Sequence, residues 1–458
     1  MIHLSKTIIA NEAISLLCKE LQDNNYINTS DYTKYGVKRG LRNADGTGVM
    51  AGLTKICSVE GYYIDDGERM PKDGHLFYRG IDVNDIINAC VKEDRFGFEE
   101  VIWLLLFGSL PTQDQLDRFN TALSAMRELP DNFTEDMIMK APSPNIMNKI
   151  ARAVLALYSY DDNPDDTSIE NVLNQSLRLI AQMPSIIAYA YQVKRRHYYH
   201  KSMYIHPPKS NHHTAEVILN SIRSDKQFTD EEAKLLDICL ILHAEHGGGN
   251  NSTFATRVLS SSGTDTYAAI SAGIGSLKGP KHGGANRKVA EMIDFFKENC
   301  SDITDPAQVS DYIAKILRKE GGDGTGLVYG VGHAVYTLSD PRAVILREKA
   351  TTFAQGTEFE AELKLLNLIA DLTPTVFKEV TGKDKPMCAN FDLYSGFIYK
   401  MLRIPEDLYT PLFATARLAG WCAHRIEELY TGGRILRPAY KSLSSHTEYV
   451  PIADRHGK

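Results

Sequence analysis

Two histidines and one aspartate lie in short segments that are rich in glycine or polar residues. The segments are Gly-Pro-Lys-His-Gly-Gly-Ala-Asn around His282, Gly-Val-Gly-His-Ala-Val-Tyr around His333 and Asn-Phe-Asp-Leu-Tyr-Ser-Gly around Asp392. Neighbouring glycines let the backbone turn tightly and let a ligand approach closely, which a histidine packed in a core does not need. Because histidine and aspartate are common proton donors and acceptors in enzymes, these segments predict an enzyme that uses acid and base catalysis.

Motifs for other kinds of chemistry are incomplete. Gly330-Val331-Gly332 begins like a dinucleotide-binding fingerprint, but Val335 occupies the position of the third glycine. Gly382-Lys383 lacks the hydroxyl residue that completes a phosphate-binding loop. No Gly-x-Ser-x-Gly segment is present, so the sequence gives no support to a serine nucleophile.

His243 and His246 form the one pair of histidines that suggests a metal site. Glu245 lies between them, but no separate motif offers a third ligand. We therefore expect these histidines to form hydrogen bonds and expect no bound metal.

The composition is typical of a globular protein, and the sequence predicts no membrane-spanning segment. The chain has 458 residues, 43% of them hydrophobic, and a formal net charge of −7, which argues against a general nucleic-acid surface. The apolar run 101–107 is too short to cross a membrane, and the first residues lack the successive regions of a signal peptide. The seven cysteines are scattered without a Cys-x-x-Cys pair, which predicts reduced thiols and a cytoplasmic location.

The elements that must position these residues are predicted to be mainly helices. Apolar residues at steps of three and four predict a helix over 171–193, which Pro184 should kink or break. Thr229 with Glu232 predicts a capping box, and Asp340-Pro341 predicts an N-cap followed by proline in the first turn. Alternation typical of strands is confined to two short stretches, 55–63 and 75–79.

Several segments resemble the citrate synthase family in order and spacing. Besides the three segments above, they are Leu-Phe-Tyr-Arg-Gly-Ile-Asp at 76–82, Leu-Leu-Leu-Phe-Gly-Ser-Leu-Pro at 104–111, Leu-His-Ala-Glu-His-Gly-Gly-Gly-Asn at 242–250, Ala-Arg-Leu-Ala-Gly-Trp at 416–421 and Leu-Arg-Pro at 436–438. The resemblance implies a mainly α, two-domain helical fold with a small N-terminal β element. The large domain would comprise 1–283 and 400–458 and carry a homodimer interface, and the small domain, 284–399, would carry the coenzyme A side and the catalytic aspartate.

The resemblance also implies a reaction of the tricarboxylic acid cycle, in which acetyl-CoA condenses with oxaloacetate and the thioester is hydrolysed to citrate and CoA. Asp392 would take the methyl proton as a base. His282 would hydrogen-bond the thioester oxygen and stabilise the enol or enolate. His333 would polarise and protonate the ketone of oxaloacetate.

Planar guanidinium groups suit a small dicarboxylate, since each can bind a carboxylate through two parallel hydrogen bonds. By resemblance, Arg342 and Arg417 would bind oxaloacetate within one subunit, and His246 would add a contact. Arg437 would reach the active site of the partner subunit, which makes a homodimer the smallest functional unit.

Acetyl-CoA would be a co-substrate, with no permanently bound cofactor. The backbone of Gly330, Val331 and Gly332 would wrap the coenzyme, and Lys383 and Lys385 would line its site. The chain departs from the family pattern at three positions: Thr337 in place of an arginine, Gly247 in place of an acidic residue and Arg287 in place of a glutamate.

Two alternatives stay open beside citrate synthesis. A 2-methylcitrate synthase would use propionyl-CoA with the same residues, because one extra methylene changes binding by only about 1–3 kcal/mol. A non-catalytic homologous dimer is the alternative from another class, although such a protein would be expected to lose His282, His333 or Asp392 first. Each of these residues taken alone also has a structural explanation, as a core histidine or a cap. Their joint occurrence favours function.

Overall fold

The computed structural model describes residues 26–455 together with Ile14 and Cys18. Its described part is predominantly helical, with one small sheet, which confirms the predicted fold class. The chain divides into two compact units, with boundaries between Met50 and Ala51 and between Leu436 and Arg437. This partition differs from the predicted division into 1–283 with 400–458 and 284–399, which stays a prediction.

The smaller unit joins residues near both ends of the described chain. Helix α1 covers Thr29–Lys34, and the Asn28 side chain caps it by accepting a hydrogen bond from the backbone N–H of Ser30. The Lys441 ammonium lies 5.7 Å from the centre of the Tyr35 ring, a cation–π contact between the two segments of this unit.

The sheet of the larger unit is an antiparallel hairpin with one short added strand. Strand β1, Cys57–Asp65, pairs with β2, Glu68–Tyr78, and β2 pairs with β3, Ile81–Asp82. The turn uses Asp66 and Gly67, both with positive φ, which matches the right-handed twist of paired strands. Residues 57–63 and 75–78 of the two predicted stretches are therefore in strands, whereas residues 55 and 56 form a bend and Arg79 a turn with positive φ. The hairpin extends further toward its turn than the alternation indicated.

Helices build the rest of the larger unit. They are α2 Val83–Lys92, α3 Phe98–Phe107, α4 Gln113–Ala125, α5 Ile146–Leu157, α6 Ile169–Tyr199, α7 Thr214–Ile222, α8 Asp230–His243, α9 Asn251–Ser261, α10 Thr266–Leu277, α11 Ala285–Asn299, α12 Pro306–Leu317, α13 Pro341–Ala354, α14 Glu360–Thr381, α15 Phe391–Met401 and α16 Tyr409–Tyr430. Among the described residues, no helix is long and apolar enough to cross a membrane.

Local sequence signals placed two helix starts correctly, but the helix with an internal proline is continuous. The Thr229–Glu232 capping box opens α8, and Asp340 caps α13 with Pro341 in its first turn. Of the two outcomes predicted at Pro184, a kink or a break, the break does not occur, because α6 continues through Pro184 from Ile169 to Tyr199. Residues 179–190 of α6 are buried throughout, and this packing outweighs the local cost of proline, about 3 kcal/mol.

Helix α16 is the buried centre of the larger unit. Every residue from Pro411 to Ile426 is buried, and the helix contacts α3, α6, α8, α9 and α10. A helix that is buried all round must pair its polar side chains internally. Arg425 does so, because its guanidinium donates to Thr266, Ser260 and the carbonyl of Thr264. Arg417, two turns earlier on the same helix, does so only through its Nε.

Candidate active site

Two loops that carry predicted catalytic residues are tied together by backbone hydrogen bonds. Residues 330–332 and 388–390 form an isolated antiparallel bridge, and the backbone N–H of Asn390 donates to the carbonyl of residue 330 at 2.8 Å. The Asn390 side chain donates to the carbonyl of residue 332 at 2.9 Å. The backbone segments that carry His333 and Asp392 are therefore held at a fixed separation.

Gly330 makes this close approach possible. Its φ is +82°, and a Cβ there would lie 2.8 Å from the Leu393 side chain. Neither the backbone conformation nor the space admits a larger residue. The predicted coenzyme-binding segment thus has a structural role in joining the two loops, and its contact with a coenzyme stays a prediction.

The His333 ring is oriented by its own loop. Its Nδ1 accepts hydrogen bonds from the backbone N–H groups of Val335 and Tyr336, both at 3.1 Å. A backbone N–H can only donate, so the neutral ring carries its proton on Nε2. The ring also stacks on Tyr336, with 4.7 Å between centroids. These contacts make His333 Nε2 a donor.

Hydrogen bonds attach this loop to the β hairpin. The backbone N–H of Lys72 donates to Thr337 Oγ1 at 3.2 Å, and that of Gly74 donates to Ser339 Oγ at 3.0 Å. The Thr337 hydroxyl in turn donates to the carbonyl of Gly61. At this position, where the family pattern has an arginine, the chain uses a buried threonine to attach the loop to the hairpin.

Substituting Gly61 with alanine should destabilise the protein by about 1–3 kcal/mol, the usual cost of overpacking. The added Cβ would lie 2.6 Å from Tyr336 Cα and 2.8 Å from the Val335 carbonyl oxygen, and backbone atoms cannot move aside easily. Thermal unfolding checks this expectation. Gly52→Ala is the matched control, because a Cβ at Gly52 meets no atom within 4 Å. Equal unfolding temperatures for the two variants would contradict the packing argument.

His246 lies beside His333 in the same pocket. Only 9% of it is exposed, its ring is edge-on to His333 at 5.2 Å, and its Nε2 lies 3.2 Å from the Tyr336 hydroxyl. Burial, and then the charge of Arg342, hold its pKa well below the usual range. His246 is therefore neutral and suited to hydrogen bonding.

His282 lies between α10 and α11, where its ring meets α9 and α16. Its Nε2 is 3.0 Å from Ser252 Oγ, and its ring is edge-on to Phe413 at 6.2 Å. Burial, reinforced by the positive charge of Arg417, lowers its pKa to about 4. A neutral imidazole can donate a hydrogen bond without carrying a positive charge, and the contact with Ser252 fixes the orientation of the ring.

Asp392 occupies the first turn of α15, after the N-cap Asn390. The Asn390 side chain accepts a hydrogen bond from the Asp392 backbone N–H at 3.0 Å, which fixes the start of the helix. Burial raises the pKa of the Asp392 carboxyl to about 6, although Arg342 opposes that shift. A carboxylate with this proton affinity is a better base than an exposed aspartate.

Arg342 is paired within the chain. Its Nε and Nη2 donate to the two oxygens of Asp340, at 3.0 and 2.7 Å, in the bidentate arrangement typical of arginine and carboxylate. Its guanidinium lies 5.6 Å from the ring centres of Tyr336 and Phe391. The pair keeps the positive group in a fixed orientation next to Asp392.

Arg417 is a buried charged group of the site whose hydrogen-bond donors are only partly satisfied. It is fully buried, its Nε donates to the His243 carbonyl at 2.7 Å, and its guanidinium lies over Phe413 at 4.8 Å. Its Nη1 and Nη2 have no hydrogen-bond partner. Burying guanidinium nitrogens without hydrogen-bond partners destabilises the folded protein. We therefore expect Nη1 and Nη2 to bind an anion.

The structure corrects one sequence prediction at this site and adds one group to it. His243, for which the sequence predicted hydrogen bonds, is instead fully buried between the rings of Phe391 and Phe413, at 4.0 and 3.9 Å, and neither of its ring nitrogens has a partner. Tyr336, to which the sequence assigned no role, contacts His246 and His333. The position of Tyr336, three residues after His333, was the one available signal, because the other contacts join distant segments.

The remaining predicted residues lie elsewhere on the described chain. Lys383 and Lys385 are exposed after the end of α14, and Arg437 is exposed in the smaller unit. Their roles toward the coenzyme and a partner subunit stay predictions. Gly247 has a φ of +86°, which explains a glycine there, and Arg287 is an exposed partner of Glu291 at 3.4 Å. In the described part of the chain, no cluster of three or more histidine, cysteine or acidic residues could hold a metal ion.

The helical fold and the buried cluster of imidazoles, a proton-binding carboxylate and guanidinium groups define an all-α enzyme. A family model described as citrate synthase, C-terminal domain, matches residues 43–439. The chain belongs to the citrate synthase family and is an enzyme of the acyl-transferring class.

Curated relatives cover nearly the whole chain. The citrate synthase of Haloferax volcanii is 31% identical over 92% of this chain and 99% of its own length. The 2-methylcitrate synthase 1 of Corynebacterium glutamicum is 33% identical over 92% of this chain and 98% of its own length. Both kinds of enzyme are therefore among the relatives.

Solved structures give the same fold. The citrate synthase of Thermoplasma acidophilum, solved as a ternary complex with carboxymethyl coenzyme A and oxaloacetate, aligns with a TM-score of 0.72 at 26% identity. That alignment covers 91% of this chain and 99% of the other. The citrate synthase of Pyrobaculum aerophilum aligns with a TM-score of 0.71 at 27% identity, over 89% and 94% of the two chains.

Proposed function

We propose that this enzyme condenses acetyl-CoA with oxaloacetate and hydrolyses the resulting thioester to citrate and CoA. The observation that carries the proposal is Arg417, a fully buried guanidinium with two unpartnered nitrogens beside Arg342, His246 and His333. A planar carboxylate satisfies two such nitrogens at once. A small dicarboxylate ketone is thereby supported as one substrate.

The first step needs a base that removes a proton from the methyl group of the thioester. Asp392 takes that proton, and its raised pKa brings its proton affinity closer to that of the weak acid. His282 donates a hydrogen bond to the thioester oxygen, where negative charge develops. The methyl carbon then becomes the nucleophile.

The second step forms the carbon–carbon bond at the ketone of oxaloacetate. His333 donates from Nε2 to the ketone oxygen and gives its proton as that oxygen becomes a hydroxyl. Arg342 and Arg417 hold the carboxylates of oxaloacetate, with His246 as a further donor. Water then cleaves the thioester and releases CoA. Imidazole, carboxylate and guanidinium groups supply every charge that these steps need, so the proposal includes no metal.

Several parts of the assembly belong to the same proposal. Gly330, Val331 and Gly332 bind the coenzyme through their backbone, with Lys383 and Lys385 at its edge. The enzyme works as a cytoplasmic homodimer, in which Arg437 of each chain completes the site of the other. Closure between residues 284–399 and the rest of the chain excludes water until the condensation is complete.

A 2-methylcitrate synthase is the second candidate, and the similarity to the Corynebacterium glutamicum enzyme favours keeping it. Release of the free CoA thiol by the purified protein, with oxaloacetate and either acetyl-CoA or propionyl-CoA, separates the two. We expect a higher kcat/KM with acetyl-CoA. A preference for propionyl-CoA would assign methylcitrate synthesis instead, and no release from either thioester would support the non-catalytic alternative.

A further inference from the structure

One face of α16 carries Arg417, Gly420 and His424, because residues three and four apart on a helix are neighbours. Glu245, just beyond the end of α8, lies against this face, and a Cβ added at Gly420 would collide with Glu245 Oε2. Glu245, Arg417 and His424 are each fully buried. The missing side chain at Gly420 makes room for a carboxylate inside the helix packing.

The contacts of His424 determine where its ring proton lies. Arg257 Nη1 is 2.7 Å from His424 Nδ1, and a guanidinium can only donate, so Nδ1 accepts. The proton of the neutral ring is therefore on Nε2, which lies 3.1 Å from Glu245 Oε1. Arg257 is itself held by Glu427 at 2.9 Å and Glu428 at 3.3 Å. Arg257, His424 and Glu245 thus lie in a row from α9 to the end of α8, and the contact between His424 Nε2 and Glu245 Oε1 is a close approach without hydrogen-bond geometry.

Glu245 is ionised in spite of its burial. Burial alone would raise the pKa of its carboxyl, but His424 and then Arg417 outweigh that effect and lower it. The same attraction acts on Arg417. Burial lowers the pKa of its guanidinium, and Glu245 is the largest influence that raises it. The two charges stabilise each other within a core that excludes water.

We propose that Glu245 is a positioning residue for Arg417, and that His424 holds Glu245 in place. The carboxylate, which packs against Gly420 one turn along α16, balances the charge of the buried guanidinium, while Arg417 Nη1 and Nη2 stay available for a substrate carboxylate. This inference rests on the proposed function, in which that carboxylate belongs to oxaloacetate. It assigns a binding role to residues that do not touch the substrate.

Glu245→Gln removes the charge and keeps the size of the side chain. We expect the Kd for oxaloacetate, measured by calorimetry without acetyl-CoA, to rise at least about tenfold, as for loss of one partner of a buried charge pair. The KM for oxaloacetate should rise in parallel. The kcat at saturation and the KM for acetyl-CoA should stay within about twofold to threefold, because the acid–base groups are unchanged.

Glu99→Gln is the matched control, because Glu99 is also a buried glutamate beside a histidine, with its Oε2 3.3 Å from His213 Nδ1. It should lower the unfolding temperature and leave oxaloacetate binding within about twofold. A folded Glu245→Gln variant with an unchanged or smaller Kd would overturn the proposal.

Two further substitutions test the same contact if Glu245→Gln does not fold. His424→Gln keeps an N–H donor toward Glu245 and should bind oxaloacetate more tightly than His424→Ala, whereas equal affinities would overturn the proposal. Wild-type protein that binds oxaloacetate but releases no CoA would refute the proposed reaction and still allow the variant comparison. Wild-type protein that binds no oxaloacetate would refute both.

Discussion

Asp392→Asn is expected to lower kcat by about 10²–10⁴-fold, the usual contribution of a general base. The substitution keeps the shape of the side chain and replaces a basic carboxylate by an amide, which is too weak a base to take the methyl proton. Asn390 still caps α15, so the helix start should be unchanged. Oxaloacetate affinity should change little, because the arginines that bind it remain. Steady-state release of CoA thiol, with calorimetry for oxaloacetate, separates these two quantities.

Asp237→Asn is the matched control for that experiment. Asp237 is also buried, and burial raises the pKa of its carboxyl to about 7, but it accepts hydrogen bonds from the backbone of Gly97 and Phe98 at the start of α3. Its loss should reduce stability and leave kcat per folded enzyme within a few-fold. If the two variants lost kcat equally, the base would not be Asp392.

The wild-type pH profile follows from the same carboxyl. Asp392 must be ionised to act as a base, and burial raises its pKa to about 6. The value of kcat/KM should therefore fall about tenfold for each pH unit below about 6 and level off above it. A profile that stays flat through pH 6 and falls only near pH 4 would contradict a buried base with a raised pKa. The measurement needs saturating acetyl-CoA and oxaloacetate varied below its KM.

Local interactions explain why parts of the fold could be predicted from the sequence. The caps at Thr229 and Asp340 involve residues two or three positions apart, so their letters suffice. The β hairpin was underestimated because its alternation weakens toward the turn, where Asp66-Gly67 was the stronger signal. Pro184 does not break α6 because the cost of the proline is local, whereas the packing that offsets it comes from the whole core.

The catalytic candidates could be predicted because they lie beside glycines that the local backbone conformation and packing require. Gly330 is required by its positive φ and by the closeness of Leu393, and it stands next to the residues that do chemistry. The groups proposed to position Arg417 have no comparable local sequence signal. Glu245 and His424 are far apart in sequence, and only the packing of α8 against α16 brings them together. A single sequence carries no record of that contact.

Arg417→Lys should raise the Kd for oxaloacetate by about 10²-fold, or roughly 3 kcal/mol, although the positive charge is kept. Lysine supplies one point charge and cannot reproduce the two parallel donors of Nη1 and Nη2. The loss should appear in the KM for oxaloacetate and in calorimetry, and much less in the KM for acetyl-CoA.

Arg425→Lys is the matched control, since Arg425 is a fully buried arginine on the same helix whose donors are satisfied by Thr266, Ser260 and the Thr264 carbonyl. It should lower the unfolding temperature, because its hydrogen bonds are structural, and leave the Kd for oxaloacetate within about threefold. A fold defect would weaken binding in both variants alike. Selective loss in Arg417→Lys would instead show that the unpartnered nitrogens bind substrate, because the two substitutions remove the same atoms from the same helix and differ in what those atoms face.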